Sequence, residues 1–67
     1  MNCAPLSVRQ KEILKLLADG DCHKEVAARL GVAHSTIKNT LSNMVERLEA
    51  RSVMEVLATA LRRGWIV

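Results

Sequence analysis

From Ser35 to Leu48, the apolar residues Ile37, Leu41, Met44, Val45 and Leu48 recur at the three- and four-residue intervals of one stripe along a helix. Three shorter segments carry compatible patterns. Ile13, Leu14, Leu16 and Leu17 give an apolar face to a helix predicted over 7–18, opened by Ser7, with Gln10 completing a Ser-x-x-Gln capping box at that end. Asp19, Gly20 and Asp21 stop it. A helix over 23–30 buries Val26, Ala27 and Leu30 and exposes Lys24, Glu25 and Arg29; Gly31 ends it in the left-handed position that satisfies orphan carbonyls. The fourth helix, over 52–63, is expected to be capped by Ser52, with Glu55 completing a second box, and to end at Gly64. Residues 1–6 read as a lead-in that Pro5 holds extended.

This pattern predicts an all-α chain, a four-helix bundle in which only Gly31, Val32 and Ala33, with His34, separate the second helix from the third. Two helices joined by such a turn, the second amphipathic, make a helix-turn-helix. At about 100° per residue, Ser35, Lys38, Asn39, Ser42, Asn43 and Glu46 gather opposite the apolar stripe. Solubility alone favours long Glu and Lys side chains there; Asn39, Ser42 and Asn43 are mediocre helix formers that compete for the backbone. Asn pairs with adenine, Lys reaches guanine acceptors and Ser serves either, so the face suits base edges. The bland alternative is a tolerated solvent face.

In the fourth helix the apolar residues cover roughly 200° of arc, wider than one packing partner fills. The expectation is that Val53, Leu57 and Ala60 pack inward and that Met54, Ala58, Leu61 and Trp65 form a seam for a homodimer. A fully internal fourth helix is the competing arrangement.

Composition narrows the functions available. With 67 residues the chain makes one domain with a small core, and 49% hydrophobic residues with one aromatic, Trp65, favour packed helices of Leu, Val, Ile, Ala and Met. The net charge of +3 is shared between the halves, residues 1–33 giving +1 and 34–67 giving +2, a mild bias towards a polyanion with no basic arm. Apolar runs are far too short to span a bilayer, and no signal peptide opens the chain, so a cytoplasmic protein without a membrane partner is expected. Cys3 and Cys22 are expected to stay thiols. Cys3, Cys22, His23 and His34 lack metal-ligand spacing, and no catalytic constellation or phosphate-binding glycine loop exists, so neither cofactor nor enzyme activity is expected. Cys22, near a helix start, is read as an inert thiol rather than a redox sensor.

The run Leu6-Ser7-Val8-Arg9-Gln10-Lys11-Glu12-Ile13-Leu14, with Gly20, Lys24-Glu25-Val26-Ala27, Leu30-Gly31-Val32, Thr36-Ile37-Lys38 and Arg47-Leu48, resembles the LuxR-type (GerE, NarL/FixJ) helix-turn-helix domain over positions 6 to 66. The resemblance implies a four-helix bacterial transcription regulator whose third helix reads double-stranded DNA and whose fourth commonly dimerises. It makes Lys38 the leading base contact, with Asn39 and Ser42 beside it. Thr36 at the helix start is implied as a phosphate contact and Arg47, where the family usually has Lys, as another; Lys24, His34, Ser35 and Asn43 are lesser phosphate candidates.

The chain also departs from the family pattern. Thr40 stands where many members have His, and Cys22 and Ala33 replace the Ser N-caps of helices two and three, so Asp21 or Ser35 is expected to take over by shifting a helix start. Glu49 replaces the Gly after helix three, predicting a helix that ends without the left-handed cap or runs on. Glu46 puts a negative charge on the reading side. These changes keep a second function class open: a helix-turn-helix module that binds another regulator through its fourth helix with little DNA affinity. A further regulator or RNA polymerase is the additional partner expected. In the family this domain usually follows a receiver or ligand-binding domain, so the chain reads either as a stand-alone regulator or as the C-terminal piece of a longer one.

Overall fold

Four helices form in the order α1 (Val8–Ala18), α2 (His23–Leu30), α3 (His34–Arg47) and α4 (Val53–Arg62). The computed structural model describes residues 6–67; the extended lead-in at Pro5 and the Cys3 thiol lie outside them. Among the described residues there is no strand. The α2 helix packs most extensively on α3, α3 on α4 and α1 on α2, so the third helix lies between its neighbours and contributes three buried side chains, Ile37, Leu41 and Met44. Ile13, Leu14, Val26, Ala27, Val56, Ala60, Ile66 and Leu6 complete the core. Leu16, Leu17, Leu30, Val45 and Leu48 pack against it half-buried.

Local chemistry sets each helix start. In α1 the box is complete: the Gln10 N–H donates to Ser7 Oγ (3.1 Å) and the Ser7 N–H donates to Gln10 Oε1 (2.9 Å). In α4 it is not. The Glu55 N–H donates to Ser52 Oγ (3.3 Å), but the Glu55 carboxylate accepts from the Arg51 N–H (2.6 Å), one residue upstream of the expected donor. The other two helices do not shift to find a better cap. Cys22 and Ala33 sit at the N-caps in extended geometry, and α3 starts at His34, one residue before the predicted Ser35. At α2 the Cys22 N–H donates to Glu25 Oε1 (2.7 Å), which holds that carboxyl below the usual carboxylate range, with the Cys22 side chain and the Arg29 charge acting in the same direction. Asp21 is used elsewhere: its Oδ2 lies 2.6 Å from Arg29 Nε, a charge contact without hydrogen-bond alignment that ties the α1–α2 linker to the end of α2.

All four helices end the same way. Paired N–H groups turn back onto carbonyls five and three residues earlier: Asp21 to Leu16 and Gly20 to Leu17, Val32 to Ala27 and Gly31 to Ala28, Ala50 to Val45 and Glu49 to Glu46, Trp65 to Ala60 and Gly64 to Leu61, at 2.8 to 3.4 Å. This termination needs a left-handed residue. Glycine supplies it three times; after α3 it is Glu49, at φ +52°. The expectation that α3 would lack this cap or run on is therefore corrected: two backbone hydrogen bonds and packing on both sides outweigh a left-handed cost of about 1 to 2 kcal/mol for a residue with a Cβ. Glu49→Gly should accordingly raise the unfolding free energy by about 1 kcal/mol, and Gly31→Ala, whose added Cβ meets nothing within 4 Å, should lower it by about as much, both read from urea midpoints.

The fourth helix departs from its predicted rotation. Val56, unassigned in the sequence reading, is buried with Ala60, while Val53 and Leu57 flank them half-buried. Met54 (72% exposed), Ala58 and Leu61 (47% exposed) face outward together, as expected. Trp65 does not continue that line. The helix ends at Arg62 and Gly64 reverses the chain, so Trp65 is no longer one turn beyond Leu61 and lies instead beside α1.

Candidate nucleic-acid interface

The turn between α2 and α3 is three residues, Gly31 to Ala33, fixed by the reversed N–H bonds at Gly31 and Val32 and by half-buried Val32. It offers α3 little freedom relative to α2. With Ile37, Leu41 and Met44 buried, the opposite side of α3 is set outward by the helix repeat: His34, Ser35, Thr36, Lys38, Asn39, Ser42, Asn43, Glu46 and Arg47 are all exposed. Thr40 is half-buried and belongs to the edge of the packed side.

Among the described residues, none of these nine side chains takes part in a hydrogen bond or an ion pair. Within the described chain every side-chain donor and acceptor on that side is therefore open to a partner. Elsewhere on the surface the polar residues are more often committed, as Ser7 with Gln10, Arg9 with Glu12 (3.6 Å) and Arg29 with Asp21.

Angular position orders the face. At about 100° per residue, Ser42, Ser35, Glu46 and Asn39 occupy its middle, Lys38 stands on the flank next to Val45, and Thr36 and Arg47 lie within about 20° of each other on the opposite flank. Thr36 and Arg47 are eleven residues apart, about 16 Å along the axis, so they mark the two ends of one edge. The reading candidates Lys38, Asn39 and Ser42 thus lie between an edge suited to a strand backbone and the core. Glu46 lies between Ser42 and Asn39 in angle and one turn, about 6 Å, beyond Ser42, so its negative charge stands at the C-terminal end of the reading face.

The N-terminal end of α3 is electropositive. Ala33 offers no side-chain cap, and among the described residues the N–H groups of His34 and Ser35 have no acceptor, so both point outward at the positive end of the helix dipole. His23, the first residue of α2, packs edge-on against His34 with ring centroids 6.3 Å apart, bringing Lys24 and the start of α2 to the same corner. The sequence reading gave His23 no place at the site. The signal was there, since each histidine opens a helix of the pair, but only the turn geometry shows that the two openings meet. Among the described residues no group of three His, Cys, Asp or Glu is placed to hold a metal, and no helix is long and apolar enough to cross a membrane.

The profile described as "Bacterial regulatory proteins, luxR family" matches residues 4–60. The chain belongs to the luxR family. It is similar to the transcriptional regulatory protein DesR of Bacillus subtilis, 38% identical over 91% of this chain and 31% of that protein, and to the spore germination protein GerE of the same organism, 29% identical over 88% and 80%. A solved structure of the transcription factor GerE superposes with a TM-score of 0.91 at 25% identity, covering 96% of both chains. This luxR-family chain therefore has the family's all-α helix-turn-helix fold. It spans about a third (31%) of the length of the curated relatives DesR and YvfU of Bacillus subtilis.

Proposed function

We propose that the chain binds double-stranded DNA sequence-specifically in the bacterial cytoplasm, as a dimer with α3 of each copy in a major groove. Lys38, Asn39 and Ser42 read base edges. Thr36 and Arg47 hold the backbone from opposite ends of one flank, with Ser35, His34, Lys24 and Asn43 as further phosphate contacts. The observation that carries this reading is the α3 face itself, short hydrogen-bonding side chains all exposed and all unpaired within the described chain. A helix about 21 Å long and 10 to 12 Å across with such a face fits a groove about 12 Å wide. The dimer seam is Met54, Ala58 and Leu61 on α4, with Trp65 outside it. Two-fold symmetry then sets half-sites about one helical turn apart.

Exposed Met54 and Leu61, together with Glu46 on the reading side, favour one second reading: a module that docks on another regulator or on RNA polymerase with little DNA affinity. Selection from random duplexes followed by sequencing separates the two, since only the first reading yields a consensus. On the selected site Lys38→Ala should cost about 1 to 3 kcal/mol and relax preference at one base pair, whereas Arg47→Ala should weaken selected and random duplexes alike. Equal losses on both duplexes for both variants would show the roles to be misassigned.

A further inference from the structure

Away from the reading helix, the reversal at Gly64 brings residues 64–67 back against α1 and borders an open cleft of about 380 Å³. Its walls are Val8, Lys11, Glu12 and Lys15 of α1 and, facing them, Trp65 and Val67; no residue of α3 takes part. That volume lies in the range of sites that seat a side-chain cluster or a small ligand. The apolar part is unusually open: Val8 is 84% and Val67 96% exposed, and Trp65 is half-buried with the Arg63 guanidinium 5.6 Å from its ring centroid.

Cations outnumber acids around this cleft. Lys11 and Lys15 are one turn apart on the same side of α1, a spacing at which like charges repel and weaken a helix. Arg63 adds a third cation, held by the tryptophan face. The acid on the wall, Glu12, is already paired with Arg9 at 3.6 Å. A duplex backbone answers the lysines but gives Val8, Val67 and Trp65 nothing apolar to cover. Carboxylates flanking an apolar side chain answer both.

We propose that the α1/C-terminal cleft is a docking site for an acidic amphipathic segment of a second protein, its apolar side chain against Trp65 and its carboxylates on Lys11 and Lys15. The wall from Val8 to Lys15 runs about 10 Å, room for about two turns of a helix. Because the cleft and the α3 face share no residue, the site stays open when α3 is occupied, and the inference stands whether or not α3 reads DNA.

Trp65 is the chain's single tryptophan and reports on its own site. The probe is a short blocked peptide with Glu and Asp on one helical face and Leu and Ile on the other, compared with a twin carrying Lys for each acid and a twin carrying Ser for each Leu and Ile. The 67-residue chain should show a saturable change in Trp65 emission with the acidic amphipathic peptide alone, unchanged when duplex DNA is already present. Lys15→Glu should weaken that binding about tenfold, while Arg51→Glu, an equal change of charge on the α3–α4 linker, leaves it as it was. Far-UV dichroism checks that Lys15→Glu folds; if it does not, the neutral Lys15→Gln should show about a threefold loss. The proposal is overturned if emission does not change, if either twin binds as well, if Arg51→Glu costs as much as Lys15→Glu, if duplex DNA alone moves Trp65, or if emission shifts with chain concentration alone, which would place a second copy in the cleft.

Discussion

Leu14→Ala should lower the unfolding free energy by about 2 to 5 kcal/mol and move the thermal transition well below that of the parent chain. Leu14 is fully buried (0% exposed) where α1 meets the rest of the core. Removing its isobutyl group forfeits the transfer free energy of the buried atoms and leaves a cavity, a combined cost of about 2 to 5 kcal/mol. A chain of 67 residues has about 3 to 10 kcal/mol of total stability, so a single such loss takes a large share of it. Met54→Ala is the matched control. Met54 is 72% exposed, so the truncation should move the melting transition of the isolated chain by less than about 0.5 kcal/mol. A Leu14→Ala chain that melts cooperatively near the parent temperature would mean that α1 is not integral to the core.

The features legible in the sequence are the ones with short-range causes. The Ser7 and Gln10 box, the glycine stop at Gly31, the apolar stripe of α3 and the outward side opposite it each depend on residues within two turns of one another, and the structure shows them as read. Boundaries strayed where a local rule met a tertiary one. Ala33 is a poor cap on its own, yet the tight turn leaves α3 nowhere else to begin. Glu49 takes a left-handed conformation that its own preferences oppose, because Ala50 and the start of α4 must follow at that point. In α4 an apolar arc of roughly 200° is compatible with several rotations, and packing against α3 chose the one that buries Val56.

Contacts between distant segments are not placed by the sequence, although the two histidines that open α2 and α3 are visible in it. The Asp21–Arg29 pair, the meeting of His23 with His34, and the cleft between α1 and Trp65 each join elements whose separation in space follows from the fold alone. For the α3 face, the side-chain types and, through the helix repeat, their angular order were readable; the half-burial of Thr40 at the packed edge followed only from the fold. The placement of Thr36 and Arg47 on one flank and Lys38 on the other follows from that same repeat.

Affinity for the selected duplex should fall about 150-fold between 50 and 200 mM salt if two copies bind together, and only about 12-fold if one copy binds alone. The difference comes from counting cations on the backbone. Each chain brings Lys24 and Arg47 to the proposed phosphate contacts, and every phosphate neutralised releases condensed counterions, giving a log–log slope of about −0.9 per contact. Two contacts give a slope of about −1.8 and four give about −3.6. Met54→Glu combined with Leu61→Glu tests the dimer on the same axis. Both side chains are exposed, so the domain should remain folded, while two charges placed in the α4 seam repel their symmetry copies. The variant should therefore bind with the shallower slope and sediment as a monomer on DNA. A steep slope that survives this double substitution would move the dimer contact off α4. A parent slope near zero would remove the polyanion altogether and favour the protein-docking reading, because an apolar interface has no counterions to release.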